Sequence, residues 1–301
     1  MGRRWVERKM KIVNYSVEEA TDYGFLVDRT EFVPRYFIEE VLREKIPRDI
    51  KRLLPDMELI ELIKASLENV KLERVPLSSV HLEPPIKDPR KIICIALNYR
   101  DHAEEVDSKI PEEIVFFLKP PTTLIGPFDS IIKPGIAEKI DYEGELAAII
   151  SERAKEVDSS EALFYVFGYT VFNDVTARDL QYRNGLWRGW TISKCFDTFA
   201  PTGPWIVTVD EIEDPHNLRI ITRVNKSIRQ NSNTSNMIFK IPELISYLSK
   251  VMTLEPGDII ATGTPAGVGF TREDGLLKEG DTVEVWIEKI GAIRNQLVTT
   301  K

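Results

Sequence analysis

The chain has 301 residues, 43% of them hydrophobic and 29% charged, which are values of a globular protein rather than a disordered one. Its 48 Asp and Glu residues outnumber 40 Lys and Arg residues, and this net charge of -8 argues against a nucleic-acid partner. Three histidines and two cysteines lack zinc-ligand spacing, so carboxylate oxygens should hold any bound metal, as in sites for Mg²⁺, Mn²⁺ or Ca²⁺.

The expected cellular location follows from the absence of signal-peptide, membrane-helix and disulfide patterns in the sequence. Its amino terminus, MGRRWVERKMKIV, is basic but has no apolar core of the ~7–15 residues found in signal peptides. No apolar run approaches the ~18 residues of a membrane helix. Cys94 and Cys195 are too far apart in sequence to indicate a disulfide framework. We therefore expect a cytoplasmic protein without a membrane partner.

Residues 1–80 are predicted to form a small N-terminal α+β domain, in which nothing suggests chemistry. Apolar residues at helical spacing predict one helix from Asp49 to Lys71, with Pro55 in its first turn. A connector rich in proline follows, and its residues should run extended. The boundary with a catalytic domain of residues 81–301 is placed there.

The rest of the chain is predicted to be rich in β-strands and to form one α+β catalytic domain, not a doubly wound α/β fold. Two helices are predicted, in SSEALFYV and in IPELISYLSKVM. The predicted strands lie between glycine and proline residues, in KIICIAL, EIVFFLK, LAAII, FGYTVFNDV, GPWIVTV, LRIITRVN, DIIATGT and TVEVWIEKIG.

Three carboxylates indicate a metal site. Glu143 and Glu145 lie two residues apart in a predicted strand, so they share one face with Cα atoms about 6.6 Å apart. Two such charges repel unless a cation lies between them. Asp174 ends an apolar run, where solvation does not readily explain it. The alternatives are a solvated edge strand for the glutamates and a helix N-cap for Asp174.

Seven segments, which span roughly residues 85–290, resemble the fumarylacetoacetate hydrolase family in order and spacing, and in particular its acylpyruvase and 2-hydroxyhepta-2,4-diene-1,7-dioate isomerase-like branch. They are KIICIALNYRDHAEE, FFLKPPTTLIGP, DYEGELA, VFGYTVFNDVTARDLQ, KCFDTFAPTGPW, RQNSNTSNMIF and LEPGDIIATGTPAGVG. The resemblance implies a mixed β-sandwich or β-roll fold, a homodimer and a 2-oxo or diketo acid substrate. It also implies a divalent cation, usually Mg²⁺, bound by Glu143, Glu145 and Asp174.

The resemblance further implies roles for individual residues. His102 and Glu105 would form a pair that closes over the site and activates water, and Lys194 would stabilise developing negative charge. Asp101 is a further candidate metal contact. The predicted substrate-binding residues are Arg178, Gln181, Thr264 and, at the pocket rim, Lys119.

Some of these residues have simpler interpretations. His102 could be an ordinary surface histidine, and Arg178 could form an ion pair on a helix surface with Asp179 or a nearby acid. Both cysteines are expected to serve packing. Trp187 and Trp190 are expected to serve packing or subunit contacts rather than chemistry.

Three functions remain open at this point. The leading hypothesis is a metal-dependent hydrolase that cleaves a C–C bond in an acylpyruvate-type diketo acid. The second keeps the metal site but isomerises or decarboxylates a 2-hydroxy-diene-dioate or oxaloacetate-like acid, or dehydrates a sugar acid. The third is a metal-binding oligomeric protein without turnover, which the complete set of site residues argues against.

Overall fold

The structure, a computed structural model, describes residues 9–69, 72–183 and 185–299. Its fold is α+β and rich in strands, which confirms the predicted class. No helix in these three ranges is long and apolar enough to cross a membrane.

The strands are numbered in chain order. They are β1 Lys11–Val17, β2 Ala20–Leu26, β3 Glu31–Pro34, β4 Val75–Pro76, β5 His81–Leu82, β6 Ile92–Ala96, β7 Val115–Lys119, β8 Leu124–Ile125, β9 Ile131–Lys133, β10 Ile140–Asp141, β11 Gly144–Ile150, β12 Val166–Asn173, β13 Thr176–Ala177, β14 Tyr182–Arg183, β15 Leu186–Trp187, β16 Ala200–Thr208, β17 Arg219–Val224, β18 Ser227–Asn233, β19 Ile259–Ala261, β20 Thr282–Ile287 and β21 Gly291–Thr299.

The helices are short apart from two. The α-helices are α1 Arg35–Leu42, α2 Ile50–Leu53, α3 Met57–Asn69, α4 Arg100–Glu105, α5 Arg178–Gln181, α6 Thr191–Lys194 and α7 Ile241–Val251. Single 3₁₀ turns occur at Leu77–Ser79, Pro121–Thr123, Ala162–Tyr165, Val209–Glu211, Thr234–Asn236 and Gly269–Thr271.

Two of the predicted helices differ from the structure. The predicted helix Asp49–Lys71 is two helices, α2 and α3, because Pro55 has no N–H to donate and clashes with the preceding turn. The carboxylate of Asp56 then accepts a hydrogen bond from the backbone N–H of Leu59 at 3.1 Å, and so caps the second helix. Lys71 lies outside the described residues. SSEALFYV forms only a 3₁₀ turn before β12, whereas IPELISYLSKVM forms α7 as predicted.

A large mixed sheet passes through the whole molecule. In the described residues its strand order is β4-β3-β2-β1-β16-β12-β11-β19-β6-β7, with β5 beside β1 and β8 beside β16. The N-terminal strands therefore continue the same sheet, since β1 pairs antiparallel with β16 through Lys11 and Val207. The division of the chain near residue 80 stays a prediction.

Both faces of the central strands are buried. Along β11, Leu146 and Ala148 point into a core shared with the second sheet, of order β18-β17-β20-β21-β9, and with α7. Ala147 and Ile149 point into a core shared with α1, α2 and α3. Because side chains alternate between the faces of a strand, burial on both sides requires an uninterrupted apolar run, which the sequence LAAII supplies.

This topology brings the candidate site to one end of the sheet. β11 and β12 are antiparallel and pair Gly144 with Asn173, so the start of one strand lies beside the end of the other. Glu143 precedes the first strand and Asp174 follows the second. β19 runs parallel to β6, and both strands end at the same end of the sheet. The glycine-rich loop after β19 and helix α4 after β6 therefore meet the carboxylates.

Candidate active site

The side chains of Glu143, Glu145 and Asp174 come together at this end of the strands. Each offers a carboxylate oxygen, and these oxygens all lie within 4.8 Å of one another. Their exposed fractions are 7%, 1% and 1%, which excludes a solvated edge strand. The N-cap of α5 is Ala177 and its side chain makes no capping hydrogen bond, so capping by Asp174 is wrong as well.

The surroundings shift the pKa values of the two glutamates in opposite directions. Burial, together with the charges of Asp174 and Glu143, raises the pKa of Glu145 well above its usual value. Burial also opposes ionisation of Glu143, but Lys194 and Arg178 outweigh it and lower the pKa of that carboxyl to about 2. Three hard oxygen donors this close together suit a divalent cation such as Mg²⁺ or Mn²⁺.

Lys194, on α6, lies against this carboxylate group. Its Nζ donates to Oε2 of Glu143 at 2.8 Å and to Oδ2 of Asp174 at 2.7 Å. The same nitrogen lies 5.1 Å from the centre of the Phe117 ring. Burial favours the neutral amine, but the two carboxylates outweigh it and raise the pKa of Lys194. The lysine is therefore a fixed cation at the site.

The predicted position of Lys119 at the pocket rim is wrong. Its side chain is fully buried, and Nζ donates to Oδ1 of Asp174 at 2.6 Å. The carbonyls of Phe199 and Val175 accept from the same nitrogen at 2.9 and 3.3 Å. Because all its protons have protein acceptors, Lys119 acts on a carboxylate of the site and has no proton left for a substrate.

His102 and Glu105 lie one turn apart on α4. Nδ1 of His102 is 3.3 Å from Oε2 of Glu105, and His102 is only 7% exposed, so it is not an ordinary surface histidine. Glu105 also accepts from the backbone N–H of Gly267 at 2.9 Å and from the hydroxyl of Thr271 at 2.8 Å. These hydrogen bonds outweigh burial and lower the pKa of Glu105. An ionised carboxylate thus orients the imidazole.

Arg178, on α5, connects the carboxylates to the pocket wall. Its Nε donates to Oδ2 of Asp141 at 2.8 Å, and one terminal nitrogen donates to Glu143. The other terminal nitrogen lies 3.4 Å from Oε1 of Gln181. Its guanidinium covers the ring of Phe270, 4.4 Å from the centroid. Arg178 therefore does pair with nearby acids, but in a largely buried position at the cavity and not on a helix surface.

Thr264 lies in the glycine-rich loop. Its hydroxyl donates to the carbonyl of Gly144 at 3.0 Å and accepts from Nε2 of Gln230 at 2.8 Å. The hydroxyl proton is thus already used within the protein. In the same loop the backbone N–H of Gly263 donates to Oε2 of Glu145 at 2.8 Å. The loop therefore fixes the position of a carboxylate and of the strand that carries it.

Asp101 does not join the carboxylate group. Its Oδ2 accepts from the hydroxyl of Ser232 at 2.6 Å, and Oδ1 accepts from the backbone N–H of His102 at 2.9 Å. These contacts tie α4 to β18, so the residue has a structural role.

The site residues surround a cavity of about 200 Å³. Four aromatic residues that the sequence did not assign to the site also line it: Phe117, Trp187, Trp190 and Phe270. The two tryptophans pack against each other, and Trp190 also stacks on Phe117, so the expected packing role is combined with a place in the cavity wall. Predicted site residues that line the cavity are His102, Glu143, Glu145, Arg178, Gln181, Lys194 and Thr264.

Both cysteines serve packing, as expected. Cys94 is buried in β6, and burial raises its pKa well above the ordinary value. Cys195 is partly buried with Sγ 3.6 Å from the carbonyl oxygen of Leu118, and burial raises its pKa as well. Neither thiol has the lowered pKa of a nucleophilic cysteine.

This combination of a strand-rich fold and a buried carboxylate group beside a lysine and a His–Glu pair defines a class of enzymes. The family model for the fumarylacetoacetate (FAA) hydrolase C-terminal domain matches residues 91–298. The chain belongs to the fumarylacetoacetate hydrolase family, which confirms the resemblance seen in its sequence.

Similar proteins in this family are enzymes with different reactions. Oxaloacetate tautomerase FAHD2A, mitochondrial, from Bos taurus is 43% identical over 312 residues, which cover 99% of this chain and 95% of that one. Maleylpyruvate hydrolase from Sphingobium sp. SYK-6, in complex with manganese (II) ion and pyruvate, is 33% identical with a TM-score of 0.79, covering 97% and 100%. The 2-hydroxyhepta-2,4-diene-1,7-dioate isomerase from Mycobacterium marinum is 32% identical with a TM-score of 0.74, covering 97% and 99%.

Proposed function

We propose that this chain transfers a proton at C3 of a 2-oxo acid, and that it interconverts the enol and keto forms of oxaloacetate. The observation that carries the proposal is that His102 lines the same small cavity as Glu143 and Glu145. A base next to a carboxylate group that suits a metal is what enolisation of a 2-oxo acid requires. The similarity to an oxaloacetate tautomerase along nearly the whole chain supports this substrate.

Glu143, Glu145 and Asp174 would hold the divalent cation. Their oxygens are close together and buried, and burial, followed by the neighbouring charges of Asp174 and Glu143, raises the pKa of Glu145. When bound, the cation supplies Lewis-acid polarisation of the 2-oxo group, which acidifies the C3 protons. We propose Mg²⁺ as the resident ion. Mn²⁺, which is present in the similar maleylpyruvate hydrolase, and Ca²⁺ suit the same oxygens.

His102 performs the proton transfer. Because the Glu105 carboxylate accepts a hydrogen bond from Nδ1, the other ring nitrogen, Nε2, is left as the base. In the keto-to-enol direction Nε2 removes a proton from C3, and negative charge develops on the C2 oxygen. The Lys194 ammonium stabilises this charge until the imidazolium gives the proton to the C2 oxygen. In the opposite direction, Nε2 takes the proton of the enol hydroxyl, and the resulting imidazolium gives a proton to C3.

Arg178 and Gln181 would bind the second carboxylate of oxaloacetate. Two of the guanidinium nitrogens are occupied by Asp141 and Glu143, and the third is directed to Gln181. The distance of 3.4 Å between this third nitrogen of Arg178 and Oε1 of Gln181 is long for a hydrogen bond. A ligand can therefore replace Gln181 as the acceptor. A dicarboxylate would thus be held at both ends.

The test follows the absorbance of enol-oxaloacetate as it converts to the keto form, with Mg²⁺ and with excess chelator. We expect the wild type to accelerate the decay only with the metal, and His102→Asn to lose about 100-fold or more of kcat/KM. His81→Asn is the matched control, because His81 is exposed and lies outside the cavity. Equal rates in the two variants would refute the role of His102.

A second candidate is hydrolysis of an acylpyruvate-type diketo acid. It is favoured by the aromatic lining of the cavity, which suits an apolar acyl group, and by the similarity to maleylpyruvate hydrolase. His102 with Glu105 would then activate a water molecule that attacks the distal carbonyl, and the C–C bond would break to release pyruvate as its enol. Metal-dependent loss of acetylpyruvate absorbance would identify this reaction. Formation of pyruvate from oxaloacetate would identify decarboxylation instead.

The expectations of a homodimer and of a cytoplasmic location belong to the same proposal. They rest on the family resemblance and on the composition of the chain. Light scattering of the purified protein tests the first, and fractionation of the source cells tests the second.

A further inference from the structure

A β-hairpin connects the two helices that carry site residues. α5, with Arg178 and Gln181, precedes the hairpin of β14 and β15, and α6, with Lys194, follows it. The backbone N–H of Arg188 donates to the carbonyl of Gln181 at 2.9 Å, which extends the pairing of the hairpin to the last residue of α5. The hairpin is therefore joined directly to Gln181, which lines the cavity.

A row of aromatic rings runs from this hairpin to the catalytic lysine. Trp187 packs 5.8 Å from Tyr182 and edge-on to Trp190 at 5.4 Å. Trp190 in turn stacks on Phe117 at 5.5 Å with an interplanar angle of 22°. Phe117 faces the ammonium of Lys194. Trp190 is thus held on two sides, whereas Trp187 is the outer ring of the cavity wall.

The cavity has a closed end and an open end. Glu145 is 1% exposed at the closed end, whereas Trp187 lines the same cavity and is 45% exposed. A 2-oxo acid whose keto end lies at the carboxylate group must extend its substituent at C3 toward the open end. In that orientation the substituent would meet the indole of Trp187, which lines the cavity.

We propose that Trp187 is a specificity-determining residue that limits the size of the substituent at C3. A carboxylate or a short acyl group fits beneath the indole, and a phenyl ring does not. This inference rests on the proposed function, because it places the 2-oxo acid end at Glu143, Glu145 and Asp174. It names the substrate class as compact 2-oxo acids with a short distal group.

The experiment compares oxaloacetate with phenylpyruvate, a 2-oxo acid that carries a phenyl ring at C3 and also enolises. In the wild type we expect kcat/KM to be much lower for phenylpyruvate. In Trp187→Ala the cavity gains the space of the indole, and we expect the ratio of phenylpyruvate to oxaloacetate kcat/KM to rise about 10-fold or more. Trp187→Leu, which keeps an apolar contact with Trp190, should give a smaller rise in the same direction.

Leu186→Ala is the matched control. Leu186 lies on the same hairpin and is 67% exposed, but it does not line the cavity, so the ratio should stay at the wild-type value. An unchanged ratio in both Trp187 variants, with oxaloacetate turnover intact in the wild type, would overturn this inference alone. Absence of oxaloacetate turnover in the wild type would overturn the proposed function and this inference with it.

Discussion

The ammonium nitrogen of Lys119 lies 2.6 Å from Oδ1 of Asp174, and neither side chain is more than 1% exposed. The other carboxylate oxygen, Oδ2, accepts from Lys194 at 2.7 Å. Asp174 therefore has a lysine on each oxygen, one behind the site and one at the cavity. Lys119 orients the carboxylate, and Lys194 remains in position to contact a substrate.

Lys119→Met should lower the free energy of unfolding by about 3–5 kcal/mol, because it leaves Asp174 buried without one of its two cations. Urea denaturation measures this loss. Arg223→Met is the control, since Arg223 pairs with Glu284 at 2.9 Å where both side chains are about one-third exposed. A pair in that setting contributes less than about 1 kcal/mol. Equal losses in the two variants would contradict the structural role of Lys119.

Glu145→Gln should weaken binding of the divalent cation about 100-fold or more, since changes in the groups that merely support metal ligands already cost about 10- to 100-fold. The amide keeps the shape of the side chain and removes its charge. Titration with Mn²⁺, followed by electron paramagnetic resonance, measures the dissociation constant. The exposed Glu161 supplies the control Glu161→Gln, which should bind like the wild type. Unchanged affinity in Glu145→Gln would remove this residue from the ligand set.

Gly267→Ala should impair both stability and activity. Gly267 has a φ of +102°, and a Cβ there would lie 2.1 Å from the carbonyl oxygen of Arg229, so the loop must move and withdraw the N–H donated to Glu105. We expect a cost of about 3 kcal/mol and a loss of about 10-fold or more in kcat/KM.

Gly280→Ala separates backbone strain from this displacement. Gly280 has a φ of +87° but no atom within 4 Å of an added Cβ, so the change should cost about 1 kcal/mol and leave activity unchanged. Melting temperature and steady-state kinetics of the two variants measure both effects. If Gly267→Ala behaved like Gly280→Ala, the loop contact to Glu105 would be unimportant.

The pH dependence of stability should report the ionisation of Glu105. Its folded pKa is lower than the unfolded value of about 4.3, so the ionised carboxylate stabilises the fold above that pH. The stabilisation is lost as the pH falls through the folded pKa. The melting temperature of the wild type should therefore exceed that of Glu105→Gln at pH 7, and the difference should shrink as the pH falls below about 4. The neighbouring, exposed Glu104 provides the control Glu104→Gln, whose difference from the wild type should stay small throughout.

The carboxylate group could be predicted from the sequence because its signals are local. The two-residue spacing of Glu143 and Glu145 places them on one face of a strand, and Asp174 ends an apolar run that offers no solvation. The antiparallel pairing of Gly144 with Asn173 then brings the three together. The strand-rich class was predictable for the same reason, since alternating and continuous apolar runs report burial directly.

Other features depend on contacts between distant parts of the chain. Gln230 donates a hydrogen bond to Thr264, and Thr271 donates one to Glu105. The spacing of these residues in the sequence does not predict either bond. The rim position of Lys119 was predicted wrongly, because its burial depends on carbonyls that the fold brings around it from elsewhere in the chain. The aromatic wall was missed, since tryptophan at a cavity and tryptophan in a core have the same local pattern.

The joining of the N-terminal strands to the central sheet also depends on contacts between distant parts of the chain, so it could not be predicted from local sequence. The pairing of Lys11 with Val207 links residues nearly two hundred positions apart, and the intervening proline-rich connector gives the impression of a boundary. A break in local composition therefore does not reveal whether a sheet continues across it.

The most direct test of the central claim is the exchange of the C3 protons of oxaloacetate with D₂O, followed by proton NMR. We expect the wild type with Mg²⁺ to accelerate exchange above the uncatalysed rate, a chelator to abolish the acceleration, and His102→Asn to lower it about 100-fold or more. Exchange in His102→Asn as fast as in the wild type would contradict the assignment of His102 as the residue that transfers the proton.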